Sequence, residues 1–368
     1  MTKTARRFGN WLYAWLLLPA ALVVGGWQGW AWWSWVSAPV MMSSATDQPP
    51  EIEIEVSPGT GSQQIGNDLQ TAGVIRSSTA WRIWYQILRL QDKQGEFKSG
   101  TYTLSPTESL PAIAKKIWQG SVAQTSYTIP EGWSRKQMAE YLEAQGFFPA
   151  SEFMQASSQI PRDKFPWLPE GLPHLEGFLY PDTYQLSKDG VTAEKVVEQM
   201  LAQFQALAIP VYEAKKGQTQ LSFSDWVKLS SIVEKEAVIP PERPIIAGVF
   251  IERLRRGMNL ETDPTVEYGL GIRQTADQPL TLTQVRTPNP YNTYMNPGLP
   301  PTAIASPGIA SLKATLDPQK TDYLFFVARY DGSHVFSKTY EEHDNAATAI
   351  RQQRDGAKDG AKPTPNKS

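Results

Sequence analysis

SFSDWVKLSSIVEKEAV, residues 222–238, decides how the larger part of the chain is read, because it joins an apolar helical stripe to two carboxylates. Ser222 and Asp225 stand in capping-box spacing, which predicts a helix beginning near Phe223. At about 100° per residue, Trp226, Leu229, Val233 and Ala237 fall on one narrow stripe. Glu236 then lies roughly 65° from the centre of that stripe, and Glu234 roughly 95° away on the other side. Residues two apart on a helix face different ways, so one site does not use both equally. Glu236 is the one nearer the buried edge, with Ile232 one turn below it. An apolar setting raises a carboxyl pKa and lets the group donate a proton near neutrality. The plainer alternative is a solvated helix end, with Lys235 between two exposed carboxylates.

Downstream, RPIIAGVFIERLRRG (243–257) is an apolar-faced helix stopped by Gly257, and it delivers a polar loop from Asn259 to Pro264. TPNPYNTYMNPGLPPTAIASPG (287–308) is too rich in proline and glycine for a helix. Tyrosine, asparagine and threonine on rigid loops suit a carbohydrate groove, with flat faces for sugar rings and amides for hydroxyls. The alternative is a surface loop pinned by its prolines.

Upstream, EIEIEV (51–56) alternates with period two and predicts a half-buried strand. PGTGSQQIGNDLQTAG (58–73) reads as a turn and a helix closed by Gly73, STAWRIWYQILRLQ (78–91) as an amphipathic helix, and GTYTL (100–104) as a strand. SLPAIAKKIWQG (109–120) is a further helix, ended by Gly120. YTIPEGWSRKQMAEYLEAQG (127–146) repeats the plan about 73 positions later, with Met138, Leu142 and Gly146 where Ile65, Leu69 and Gly73 stood. FLYPDTYQL (178–186) is extended, EKVVEQMLAQFQAL (194–207) a helix, and Asp331-Gly332 a hairpin turn between YLFFVAR and SHVFS.

Trp11 to Pro39 contains no charged residue, follows Lys3, Arg6 and Arg7, and has tryptophans near both ends. This pattern predicts a membrane-spanning helix with its short N-terminus in the cytoplasm and the rest exported. A cleaved signal peptide is the competitor, with Val36-Ser37-Ala38 as the cleavage site. The chain thus divides into a cytoplasmic 1–10, an anchor 11–38, a polar linker 39–50, a small α+β module 51–128, a larger mixed, helix-rich domain 129–350 and a disordered tail 351–368. The fold class is α+β. There are 368 residues, 41% of them hydrophobic, and no cysteine, which removes disulfides, thiolate metal sites and cysteine nucleophiles. A formal charge of −2 without a basic run argues against nucleic acid, and His174, His334 and His343 stand in no metal-ligand spacing. No metal or other cofactor is expected.

IVEKEA (232–237), ERPIIAGVFIERLRRGMNLETDPTVEYGLG (242–271), residues 287–308 and LEGFLYPDTY (175–184) together resemble the endolytic murein transglycosylase family, MltG- or YceG-like. EFKSGTYTL (96–104) and IPEGWS (129–134) are similar to its N-terminal, LysM-like portion, so the resemblance covers nearly all of the exported chain. It implies an enzyme that cleaves the MurNAc–GlcNAc β-1,4 bond of nascent peptidoglycan without water, leaving 1,6-anhydroMurNAc ends and terminating strand elongation. It implies Glu236 as the catalytic acid and then base, and a substrate groove drawn from Glu234, Thr262, Asp263, Tyr291, Asn292, Thr293, Tyr294 and Glu176. It implies a LysM-like glycan-binding module at 51–128, a single-pass position in the inner membrane with the catalytic domain outside, and peptidoglycan synthases as partners. One departure is the run Ala237-Val238-Ile239-Pro240-Pro241, two prolines on the approach to Glu242 and Arg243. Two other readings compete. One is a hydrolytic muramidase using Glu236 with Asp263 or Glu176 as second carboxylate; the other is a tethered, non-catalytic wall-binding scaffold.

Overall fold

The computed structural model of the protein describes residues 4–42, 49–122, 124–187, 191–275, 278–329 and 331–360. Its fold is mixed α+β, rich in helix, with three two-stranded sheets among the described residues. Chain contacts divide it into two compact units, one reaching to Thr125 with a short return at 185–187, the other comprising Ser126–Tyr184 and the chain from Val191 onward.

The first unit holds α1 (Thr4–Ser37), β1 (Ile52–Val56), α2 (Ser62–Thr71), α3 (Ser78–Gln91), β2 (Gly100–Leu104) and α4 (Leu110–Gln119). β1 and β2 pair antiparallel, Ile52 opposite Leu104 and Ile54 opposite Tyr102. The glutamates of β1 point outward while Val56 is buried, which is the period-two pattern of a one-sided strand. Trp81 fills the core and donates its indole N–H to the Ser62 carbonyl at 3.0 Å. A Cβ on Gly66 would stand 2.6 Å from Trp81 Cδ1, so glycine there lets α2 approach α3 closely.

The end of α1 is tied into this unit. Val36 is buried in its core, Trp33 stacks on Trp84 at 6.0 Å, and Arg76 lies 5.0 Å over Trp35 while donating to the Pro39 carbonyl at 2.6 Å. The expected membrane-spanning segment is thus a single helix. Yet among the described residues no helix is long and apolar enough to cross a membrane. In the part of α1 whose side chains are described, the tryptophans, Gln28 and three glycines lower the mean hydropathy. The segment 1–3 and the side chains of Trp11 and Trp15 lie outside the described residues, as do residues 43–48 of the expected linker.

The second unit adds α5 (Arg135–Ala144), α6 (Ala150–Ala156), α7 (Ala193–Lys215), α8 (Phe223–Glu236), α9 (Arg243–Arg255), α10 (Asp263–Leu270), α11 (Leu282–Val285), α12 (Ile309–Leu316), the hairpin β5 (Phe325–Ala328) and β6 (His334–Ser337), and α13 (Tyr340–Gly360). β3 (Gln124–Thr128) pairs with β4 (Thr183–Ser187), and the boundary between the units falls within these two strands. The order β3-α5-α6-β4 repeats β1-α2-α3-β2, as the sequence repeat leads one to expect. Met138 and Leu142 are buried like Ile65 and Leu69, and Gly73 and Gly146 both turn left-handed, at φ 71° and 78°. Val74 N–H returns to the Leu69 carbonyl and Phe147 N–H to the Leu142 carbonyl, so both helices close with the same turn. α13 extends the chain as helix through residues 351–360, the part of the expected disordered tail that the structure describes; residues 361–368 lie outside.

The core behind the site is built on α8. Trp226, Leu229 and Val233 of the stripe read from the sequence are fully buried, but so are Val227, Ser230, Ser231 and Ile232, so α8, packed against α9 and α12, is enclosed on nearly every side and not along one narrow face. Trp226 donates its indole N–H to the Leu312 carbonyl at 2.8 Å, and Ser231 accepts the Ile304 N–H at 3.1 Å. These bonds fix the axial position of α8 and therefore of its carboxylate-bearing end.

Candidate active site

α8 begins where the capping residues place it, with Ser222 Oγ accepting the Asp225 N–H at 3.1 Å. It ends at Glu236, because Ala237 turns extended and Pro240 and Pro241 cannot continue a helix. The prolines start a short 3₁₀ turn, Pro240–Glu242, that leads directly into α9. The turn brings Arg243 back to Glu234, at 3.6 Å, and sets Glu242 against His334, with His334 N–H to Oε1 at 3.0 Å and Nδ1 to Oε2 at 2.7 Å. The two prolines therefore direct Glu242 and Arg243 rather than obstruct them.

Glu236 faces a cavity of about 760 Å³, whose wall also includes Glu261, Asp263, Tyr294, Phe325 and His343. Its pKa is pushed up to about 8, first by burial and then by the neighbouring Asp263 charge. Thr262 opposes that rise; its hydroxyl faces the carboxyl in a contact short of full hydrogen-bond geometry, and Oγ1 is otherwise buried and unpaired. Asp263 is held in turn: its Oδ1 accepts the Tyr294 hydroxyl at 2.7 Å and its Oδ2 the Gln274 amide at 3.4 Å. A carboxyl protonated at neutrality, in a cavity large enough for a ligand, is the equipment of a general acid.

Glu234 is differently placed. Its side chain is only 7% exposed, with Oε1 toward Arg243 and Oε2 accepting the Gly308 N–H at 3.0 Å. It does not line the cavity that Glu236 faces, and its oxygens are taken up by the protein. Asn292 and Thr293 are likewise engaged by the protein. Asn292 is buried and spends its amide on the Val285 and Thr287 carbonyls at 2.8 and 2.9 Å, while Oδ1 accepts Tyr294 N–H at 3.0 Å. Thr293 Oγ1 is buried against Thr265 Oγ1 and accepts Thr262 N–H at 3.1 Å. These side chains hold the loops together. Asp263 and Tyr294 reach the cavity with Glu236, and Tyr291 reaches a neighbouring one.

Residues 54–349 match the sequence pattern of the YceG-like family. The chain belongs to that family. A Bacillus subtilis (strain 168) protein named endolytic murein transglycosylase is 30% identical over 317 residues, covering 82% of this chain and 85% of that protein. A Streptococcus pneumoniae serotype 2 (strain D39) protein of the same name is 27% identical over 361 residues, which are 90% of this chain and 63% of the pneumococcal one. Among solved structures, a yceG-like protein of Listeria monocytogenes superposes with a TM-score of 0.55 at 31% identity, covering 81% of this chain and 100% of its own.

In this YceG-like chain a second cavity, of about 540 Å³, shares Lys235, Pro264, Glu267 and Arg273 with the first, so the two adjoin at the end of α8. Tyr291, Tyr268 and Glu176 line it. Glu176 is 2% exposed; both its oxygens take the Arg135 N–H, at 3.0 and 3.2 Å, and Oε2 accepts the Tyr268 hydroxyl at 3.0 Å. Burial pushes its pKa up to about 7 despite those bonds.

Sequence reasoning passed over Glu261, Arg253, Phe325 and His343. Glu261 had a detectable signal only in structure: it is the one non-glycine residue with positive φ, 54°, among the described residues, and Arg253 holds its carboxylate at 3.0 Å. Strained backbone of this kind collects at functional sites. Phe325 and His343 come from β5 and α13, whose approach to Glu236 spans about a hundred residues of sequence and leaves no local pattern.

Proposed function

We propose that the protein is an endolytic lytic transglycosylase that cleaves the MurNAc–GlcNAc β-1,4 bond of peptidoglycan, with Glu236 as its catalytic acid and base. The observation that carries this reading is the raised pKa of Glu236, about 8, in a cavity that adjoins a second one at the end of its helix. Two adjoining cavities suit a long strand bound on both sides of the cut. The name that the Bacillus and pneumococcal relatives carry, endolytic murein transglycosylase, supports the same reading.

The chemistry needs one proton carrier. Protonated Glu236 gives its proton to the glycosidic oxygen as the bond to MurNAc C1 breaks, and the GlcNAc end leaves as an alcohol. Glu236, now a carboxylate, takes the proton from the MurNAc C6 hydroxyl, whose oxygen closes on C1 to form the 1,6-anhydro ring. Glu236 ends protonated again and no water is consumed. Asp263, held by Tyr294, lends its negative charge to the electron-poor C1 of the transition state.

The rest of the reading concerns place. Residues 51–128 act as a LysM-like glycan-holding module, supported by the strand-helix-helix-strand order of β1, α2, α3 and β2. α1 anchors the chain in the inner membrane, supported by its uncharged run behind Lys3, Arg6 and Arg7 and by the exposure of Leu18, Leu22, Val23 and Trp30. Nascent strands are then within reach, and membrane-embedded peptidoglycan synthases are the partners.

The deciding experiment is mass analysis of peptidoglycan strands digested by the purified protein. The expected products end in 1,6-anhydroMurNAc. Products one water heavier would replace this mechanism with two-carboxylate hydrolysis involving Asp263, and intact strands would leave a binding protein.

A further inference from the structure

The stretch where the two cavities meet carries charge that the reaction does not use. Among the described residues four line both cavities: Lys235, Pro264, Glu267 and Arg273. Most other cations around the cleft are already engaged. Arg253 is paired with Glu261 at 3.0 Å, Lys136 with Glu140 at 3.9 Å, and the Arg135 guanidinium donates to Ser157, Ser158 and the Met154 carbonyl. Lys235 and Arg273 are both exposed, and neither has a carboxylate at ion-pair distance among the described residues. The Lys235 ammonium reaches only the Gly132 carbonyl, at 3.5 Å. Glu267, the one anion among the described residues that line both cavities, has its Oε1 engaged by the Gln274 N–H at 3.0 Å, so two cations face one carboxylate there.

We propose that Lys235 and Arg273 form a subsite for the anionic stem peptide carried by the MurNAc unit being cleaved. This rests on the proposed lytic reaction and adds a substrate determinant to it. The sugar that closes the anhydro ring is MurNAc, so MurNAc is the unit placed against Glu236. Its C3 lactyl ether carries the peptide, whose carboxylates are the negative charges of a mid-strand unit; GlcNAc has none. The substituent therefore leaves the chain of sugars within about one ring of Glu236, and Lys235 is the next residue along the helix. Arg273 adds a planar, two-pronged donor suited to a carboxylate. A diphosphate at a strand's reducing end offers similar chemistry, and an endolytic cut, made inside a strand, favours the peptide.

Binding tests the subsite without turnover. The full chain carrying Glu236→Gln is titrated with lipid-free glycan strands bearing stem peptides and with the same strands stripped by an amidase, and the ratio of the two Kd values is read. Adding Arg273→Ala reduces the preference for peptide-bearing strands about threefold to fivefold, the scale of one exposed ion pair. Arg273→Glu reduces it further, Arg273→Lys restores part of it, Lys235→Ala acts in the same direction, and the effect shrinks at high salt. An unchanged ratio in all four variants overturns the proposal, including the case in which the cations serve a terminal diphosphate, since these strands carry none. Failure of the lytic reaction itself shows only in the wild-type product assay, so the two ideas fall separately.

Discussion

Tyr294 donates its hydroxyl to Asp263 Oδ1 across 2.7 Å, which ties the loop after α11 to the first turn of α10 and fixes a negative charge beside Glu236. That charge is the second cause, after burial, of the raised Glu236 pKa. Asp263→Asn removes it and keeps the shape. The pH at which kcat/KM falls off on the alkaline side, about 8 in the wild type, should move down, though burial keeps it above the ordinary carboxylate range. A limb that stays in place or moves up would show that Asp263 does not act on Glu236 through its charge.

Asn292 offers a test of whether the 287–308 loop works by contact or by construction. Its amide makes two hydrogen bonds to carbonyls at 2.8 and 2.9 Å and its oxygen receives Tyr294 N–H at 3.0 Å. Asn292→Ala leaves those buried groups unpaired and should lower stability by about 2 to 3 kcal/mol in denaturant unfolding. Tyr291→Phe loses only the bond to Thr302, 3.0 Å long, and should cost about 1 kcal/mol. Wild-type stability for Asn292→Ala, with KM alone raised, would return Asn292 to the substrate groove.

Gly177 and Gly146 separate two costs that glycine avoids. Both have positive φ, 86° and 78°. A Cβ at Gly146 meets nothing within 4 Å, whereas one at Gly177 would stand 2.4 Å from Ala303 Cβ and 2.9 Å from Val227 Cγ1. Gly146→Ala should therefore cost about 1 kcal/mol for the backbone alone. Gly177→Ala should add roughly 1 to 3 kcal/mol of overpacking, and because it follows Glu176 it should also disturb the smaller cavity. Equal unfolding midpoints for the two variants would mean the α8 core yields more easily than its packing suggests.

The helices and strands were legible wherever one face is buried and one is not: the α3 and β2 ranges coincide with STAWRIWYQILRLQ and GTYTL, and α8 starts at Phe223. The internal repeat was legible because Gly73 and Gly146 end equivalent helices. Helical phase put Glu236 nearer the buried edge, and Glu236 does line the cavity; the burial of Glu234 comes from Arg243 and Gly308, which its own helix does not announce. Polar loop residues were the hardest to place. Asn292 and Asp263 have the composition of a sugar site alike, and only the bonds they make distinguish a residue that braces the loop from one that faces the cleft. The proposed anchoring by α1 rests on charge pattern, since hydropathy over its described residues does not reach that of a spanning helix.

Glu236→Gln should separate catalysis from stability, because the two depend on the same carboxyl with opposite signs. The folded protein holds the Glu236 proton up to about pH 8, against 4.5 for an ordinary glutamate. Below about 4.5 the folded and unfolded chains are both protonated and the site is neutral to stability. Between 4.5 and 8 the folded state binds more protons than the unfolded one, so the wild type loses stability as pH rises, roughly 1.4 kcal/mol for each pKa unit at the upper limit. Glutamine has no such proton to lose. Glu236→Gln should therefore match the wild-type Tm near pH 4 and exceed it at pH 8, while turnover falls by about 10² to 10⁴-fold for want of a general acid. Glu234→Gln should do the reverse, keeping far more activity and losing stability through its weakened hold on Arg243. A Glu236→Gln protein no more stable at pH 8 than the wild type would mean the carboxyl is better solvated than its cavity implies, and the argument for its acid role would lose its physical basis.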